Sequence, residues 1–392
     1  MKHIYFGVLA LGLMMAGCQN ELYKDPVADF QSAQAAYMVT DETTQIFVEE
    51  NKDVSVKNII LGLSQKENKE NAVSLEFGNQ TQLDAYNQKH GTDYILLPKE
   101  MYQAEELVKF KPEQTSLIVP LELKGVKFSM KGTYALPMKL NSGNVTSIPG
   151  QTETLLVLEQ RIKTKCVRLN GSGSEKADMF PNDFKVEQWT MEAMVKRSAY
   201  VSNNRSIGGT KLVKGSNMID EIYTRFGDVT IKPNQLQIKT GNSQIDVPAD
   251  KFSAQPDEWY MLSFVYDGKK NYVYINGELV ADREIRTGAY GLVGFWIGGS
   301  NEYIREVRFW KTARTPQQLK AYVWKMVDAS DKDLLLYYPL NGKKRNAETG
   351  EIVEDETMFW DWSNSQQHLP LAKNAYFDNN NGQGFTFPVK KE

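Results

Sequence analysis

At 392 residues the chain is long enough for two or three domains with full cores, and it needs no cross-links to fold. A net charge of −3, from 46 basic and 49 acidic residues, excludes a general field for nucleic acid or anionic lipid. Two cysteines and three histidines leave little material for a disulfide framework or a histidine-rich metal centre. The local cluster Lys124, Lys127 and Lys131 alternates with apolar residues and reads as a solvated strand face.

Lys2 and His3 precede an apolar run from Ile4 to Ala16, too short for a permanent span and of the length of a signal-peptide core. The run ends in Met15-Ala16-Gly17-Cys18, which resembles the bacterial lipobox, with Met15 where leucine is usual. The resemblance implies a signal peptide over 1–17 and a lipidated Cys18 at the mature N-terminus. Residues 18–26, polar and containing Pro26, read as a tether, and Glu21 and Asp25 resemble the acidic export signals of Bacteroidetes lipoproteins. A lipidated Cys18 leaves Cys166 without a partner, and its alternating setting reads as a small buried hydrophobe.

From residue 27 to 160 the apolar pattern has period two: Ile59, Leu61 and Leu63, then Val73, Leu75 and Phe77, then Tyr134, Leu136, Met138 and Leu140. Alternation of this kind predicts antiparallel sheets with one buried face, hence a β-sandwich of Ig-like type. One helix is expected over Gln80–His90, stopped by Gly91. The run Tyr86-Asn87-x-x-x-Gly91-x-x-Tyr94-x-x-Leu97-Pro98, with Tyr102 and Tyr134-Ala-Leu136-Pro137, resembles an uncharacterised N-terminal module of gut Bacteroidetes surface proteins. Tyr86, Asn87 and Tyr94 read as a local packing and hydrogen-bonding device rather than a ligand site.

Residues 159–165, charged and without a Gly/Ser linker, mark the boundary, so the two domains are expected to be closely coupled. Beyond it, Asp267-Gly268 and Asn276-Gly277 stand between aromatic and β-branched runs and predict tight hairpins. Thr315-Pro316-Gln317-Gln318 is a capping-box helix start, with Leu319, Tyr322, Val323 and Met326 on one helical face. Leu334–Leu340 reads as a buried strand. Trp259, the two turns, Gly298-Gly299, Glu306-Val307-Arg308-Phe309-Trp310 and Ala313-Arg314-Thr315 together resemble the laminin-G-like, concanavalin A-type jelly roll. Arg305 stands where that family often has an acidic residue, and Met194 where it has Trp. Trp360-Asp361-Trp362-Ser363-Asn364 resembles the family's loop before the C-terminal strand. The fold expected is therefore all-β, an N-terminal Ig-like β-sandwich over 27–160 followed by a concanavalin A-like jelly-roll β-sandwich over 161–392.

Some glucanases share this jelly roll, and glycoside hydrolysis needs two carboxylates flanking the scissile bond. The chain has no Glu-x-Asp-x-Glu strand, and the acidic run Glu351–Glu356 reads as a solvated loop. No catalytic residue is assigned and an enzyme is not expected. Binding is the default use of the scaffold, because loop aromatics can lie under the C–H face of a sugar while amides and charged groups hold its hydroxyls. The candidate ligand contacts are Trp360, Trp362, Tyr290, Tyr223, Arg225 and Asn204, with Tyr200, Asn203 and Arg205 beside the last. Trp259, Trp296 and Trp310 are expected in the core. Laminin-G-like domains often carry a structural calcium, and Asp178, Asp183 and Asp361 are its candidate oxygen donors.

The combined resemblances imply a lipid-anchored outer-membrane protein at the cell surface that binds glycan through its second domain. It would be accessory to a capture system with a TonB-dependent importer, the first domain acting as a spacer. A surface adhesion or structural protein gripping another protein is the alternative, and a glycoside hydrolase the more distant one.

Overall fold

The computed structural model describes residues 34–129, 132–141, 145–212, 220–299 and 301–389. The signal peptide, Cys18 and the tether over 18–26 lie outside the described residues. The rest is mostly strand, as the alternation predicts.

In the first domain one sheet orders the strands Thr43–Glu49, Glu153–Thr164, Tyr134–Asn141, Asn71–Phe77 and Leu107–Phe110. A second runs Thr146–Ser147, Ala35–Met38, Ile60–Leu63 and Ser116–Ile118. Their inner faces meet in one core, which contains Ile59, Leu61, Leu63, Val73, Leu75, Leu136, Met138 and Leu140. The helix spans Gln80–His90, with Asn79 capping the N–H of Gln82 and Gly91 in the left-handed region at φ +64°. Its buried Leu83 packs on the opposite face of the first sheet, against Ala135, Leu155 and Val157. Asn87 donates to the Tyr94 carbonyl (2.8 Å) and accepts from the Tyr94 N–H (3.1 Å) and the Thr92 hydroxyl (2.7 Å). The Tyr-Asn motif is thus a clasp between helix and following loop.

Glu153–Thr164 does not stop at the expected boundary. Residues 155–161 pair in parallel with Thr43–Glu49, while Ile162, Lys163 and Thr164 pair with Phe387, Thr386 and Phe385 near the far end of the chain. Lys325 adds a second tie, reaching Glu159 (2.8 Å) and the Thr133 hydroxyl (2.7 Å) in the first domain.

The second domain stacks two sheets. The eight-stranded one runs Glu278–Glu284, Lys270–Ile275, Trp259–Tyr266, Trp189–Arg197, Glu302–Trp310, Cys166–Leu169 and Tyr376–Asp378, with Leu334–Tyr338 also paired to Glu302–Trp310. The six-stranded one runs Ser174–Lys176, Gly294–Ile297, Arg205–Lys211, Ile222–Phe226, Leu236–Thr240 and Ser243–Asp246. Asn276 and Gly277 both have positive φ (50° and 81°), the conformation that the Asn-Gly turn demands.

Glu306 sits at φ +49° on a bulge, where three steps along its strand, Arg305 to Arg308, match two on the partner, Met194 to Glu192. The extra residue turns Arg305, Glu306 and Arg308 to one side, away from the core residues Ile304, Val307 and Phe309. There Arg308 binds Glu306 (2.7 Å) and faces Glu192 (3.5 Å), while Trp310 donates to Glu192 (2.9 Å) and Tyr337 to Glu306 (2.9 Å). All of these side chains are buried. Arg308 also donates to the carbonyls of Tyr322 (3.3 Å) and Lys325 (2.5 Å). This corrects the expected helix: its capping box is present, but it spans only Pro316–Ala321, since the following carbonyls serve the guanidinium instead of helical N–H groups. Met194 and Arg305 face the same roof, Arg305 lying 4.1 Å over the Phe387 ring.

Removing one partner of a buried pair leaves an uncompensated charge and costs about 3–5 kcal/mol. Arg308→Ala is therefore expected to lower the unfolding free energy in urea by that amount, and an unchanged midpoint would contradict the network. A second pair, Arg197 and Glu302 (2.9 Å), is buried where their strands meet. Burial pushes the Glu302 carboxyl from 4.5 up to about 7, with the Arg197 charge opposing. Between those values the folded chain keeps a proton that the unfolded chain has lost, so stability falls as pH rises through the window. Comparing thermal midpoints from pH 4.5 to 7, Glu302→Gln should flatten this slope; an identical slope in the variant would disprove the assignment.

Candidate functional site

The two sheets differ in what covers their outer faces. That of the eight-stranded sheet is roofed by Val323, Trp324, Met326, Phe385 and Phe387, packed on Met194, Trp259 and Met261. The outer face of the six-stranded sheet carries no such layer among the described residues. Its strands alternate, with Phe295 and Ile297, Ile222 and Phe226, and Leu236 and Ile238 pointing into the core. The residues between them point out.

Register aligns these outward residues into a row: Glu175 opposite Trp296, Trp296 opposite Gly209, Gly209 opposite Tyr223, Tyr223 opposite Lys239, and Lys239 opposite Gln244. Gly209 lets the row close up. A Cβ there would lie 2.6 Å from the Tyr223 Cβ and 3.0 Å from the Trp296 Nε1, so the two aromatics approach over a strand with no side chain of its own. Their ring centroids are 6.3 Å apart at 45°. The Lys239 ammonium stands 5.8 Å and the Arg225 guanidinium 5.5 Å from the Tyr223 ring.

Arg225, one turn of the pleat from Tyr223, is fixed by three partners: Gln237 (2.8 Å), Asn204 (2.5 Å) and Asp228 (2.5 Å). Gln237 in turn donates to Asp246 (2.7 Å). Burial pushes the Asp228 carboxyl up, but the Val229 N–H, Gln237 and the Arg225 charge outweigh it and hold the group below its usual value. Asn204 reaches Arg225 from a left-handed turn position, φ +56°. By contrast, the Trp296 Nε1–H, the Tyr223 hydroxyl and the Lys239 ammonium have no hydrogen-bond or ion-pair partner among the described residues, and none is buried away from solvent. Glu221, two residues before Tyr223 on the same face, is partly buried, and burial raises its carboxyl. The face therefore presents two rings, a rigid guanidinium and several uncommitted polar groups.

Of the expected contacts, Tyr223, Arg225 and Asn204 come together here. Tyr290 does not: it is wholly buried, its hydroxyl bonded to Thr240 (2.7 Å), and it packs edge-on against Trp189 and Tyr266. Trp362 is also core, at 1% exposure, with its indole N–H on the Lys343 carbonyl. Trp360 is half-buried, its N–H on the Asp355 carbonyl and its ring held between Lys344 and His368. Trp259 and Trp310 are core residues as expected. Trp296 is not, and the alternation Phe295-Trp296-Ile297 carried that signal.

As calcium donors the aspartates do not converge. Asp361 is buried and accepts from the N–H groups of Tyr337, Ser363 and Gln367 and from the Ser363 hydroxyl. Both its oxygens are thereby committed to holding a loop. Asp178 and Asp183 are exposed elsewhere, and no group of three or more His, Cys, Asp or Glu suited to a metal occurs among the described residues. Cys166 is buried, and burial pushes its thiol up to about 12, far from a reactive thiolate. A hollow of about 460 Å³ beside the Gln80–His90 helix is rimmed by closed ion pairs, Lys89 with Glu42 (2.7 Å) and Lys139 with Glu153 (3.1 Å).

Residues 30–146 match a family model described as an N-terminal domain, and residues 170–320 match the concanavalin A-like lectin/glucanases superfamily. A candidate carbohydrate-binding protein from Bacteroides ovatus shares the fold across 88% of this chain and 97% of its own, at 21% identity and TM-score 0.55. Two further solved structures align more weakly, both at TM-score 0.31 over 40% of this chain. They are a SAP-like pentraxin from Limulus polyphemus (17% identity, 81% of its chain) and domain 4 of a Geobacillus stearothermophilus arabinanase with arabinotriose (19% identity, 74%). No curated protein matches the sequence. The chain thus joins an N-terminal β-sandwich module to a concanavalin A-like domain of the lectin/glucanase superfamily.

Proposed function

We propose that the protein binds glycan on the outer face of the six-stranded sheet, with Trp296 and Tyr223 under the sugar rings. Lys239, Glu221 and the fixed Arg225 hold the hydroxyls. The observation that carries this is the pair of solvent-facing aromatics drawn together over Gly209, with polar atoms that have no partner among the described residues. C–H faces of sugars pack on such rings, and planar amide, carboxylate and guanidinium groups match their hydroxyls. The reading agrees with the description of the Bacteroides ovatus protein that shares this fold.

Capture without cleavage is the activity proposed. A flat face offers groups on one side of a chain, whereas hydrolysis needs carboxylates on both sides of the bond. The protein would work at the outer-membrane surface, lipid-anchored at Cys18, as an accessory to a glycan importer, with the first domain as spacer.

Trp296→Ala and Tyr223→Ala should each weaken retention of soluble polysaccharide in affinity gels by at least about tenfold, or about 1.4 kcal/mol. Retention unchanged in both variants would remove the site, and release of shorter sugars by the parent protein would replace capture with hydrolysis. Cys18→Ala should move the protein from the membrane to the soluble fraction of expressing cells; membrane association that persists would refute the anchor.

A further inference from the structure

The platform's shape bears on which part of a glycan lies across it, an argument that rests on the glycan-binding reading above. The outward row from Glu175 to Gln244 crosses six strands, so at the usual strand spacing it is about 24 Å long. That is several sugar rings end to end. Hollows among the described residues open elsewhere, on the first domain and along the domain junction, and the row lies in none of them.

A site for a terminal sugar encloses it, with polar groups converging from several sides. Among the described residues the row lies on a sheet face and in none of the hollows. A site for a crystalline polysaccharide surface would need coplanar rings, and Trp296 and Tyr223 are inclined by 45°. Their 6.3 Å separation is comparable to the spacing of successive rings in a glycan chain, and their inclination matches rings that rotate about the chain axis. Charged and amide groups continue the row beyond Tyr223, at Lys239 and Gln244, where further residues of the same chain would lie.

We propose that the face binds an internal run of several sugars within one soluble, twisted, linear glycan chain, laid across the strands, rather than a chain end or a crystalline surface. The test uses the full chain and a panel of soluble xylan, glucomannan, mixed-linkage β-glucan and arabinan. For each polysaccharide retained, its oligosaccharides from two to six residues are titrated by calorimetry, together with a hexasaccharide reduced at its end. The hexasaccharide should bind at least tenfold more tightly than the disaccharide, end reduction should not matter, and crystalline cellulose should not be bound. Trp296→Ala and Tyr223→Ala should each abolish the length dependence, with circular dichroism showing the fold intact. A disaccharide that binds as tightly as the hexasaccharide in a Trp296-dependent way would overturn the internal-chain assignment and leave the site standing. Binding to none of the four polysaccharides would overturn both.

Discussion

The contact on which the second domain depends is the buried meeting of Glu192, Glu306 and Arg308 beneath the chain that follows the Pro316–Ala321 helix. Charges removed from water are costly unless paired, and this guanidinium pairs with two carboxylates and donates to two main-chain carbonyls. The arrangement fastens an irregular segment across the eight-stranded sheet and holds it there. The outer face of the eight-stranded sheet is thereby covered, while that of the six-stranded sheet has no such layer among the described residues. The bulge at Glu306 is what makes this geometry available, since regular alternation would have sent one of its charges into the apolar core.

The same segment ties the two domains together. The Lys325 carbonyl accepts from Arg308 and its ammonium pairs with Glu159, so the roof and the domain junction share one residue. With the strand Glu153–Thr164 hydrogen-bonded in both domains, the orientation of the platform relative to the first domain is held by backbone pairing as well as by side chains.

Much of the fold was legible because it is written locally. The Asn-Gly turn, the Thr315 capping box and the Gln80–His90 helix each depend on a few neighbouring residues, and each is where its motif places it. The sites were less legible because exposure depends on which face of a strand meets a second layer, and that is settled by residues far apart in sequence. Trp362 looked like a loop aromatic, yet Lys343 and Tyr337 enclose it. Trp296 looked like core, yet its own strand neighbours Phe295 and Ile297 take the inward positions and leave it outside. Asp361 shows the same limit. Its motif is real, but it organises backbone N–H groups and has no lone pair left for an ion.

Glu153–Thr164 also sets how the molecule carries load. A pull between the two domains that passes along this strand is resisted by ladders lying parallel to the force, Thr43–Glu49 on one side and Phe385–Phe387 on the other. Bonds arranged that way must slip together rather than open one at a time. A polymer gripped by the second domain would therefore tug on a seam built to shear, not to unzip.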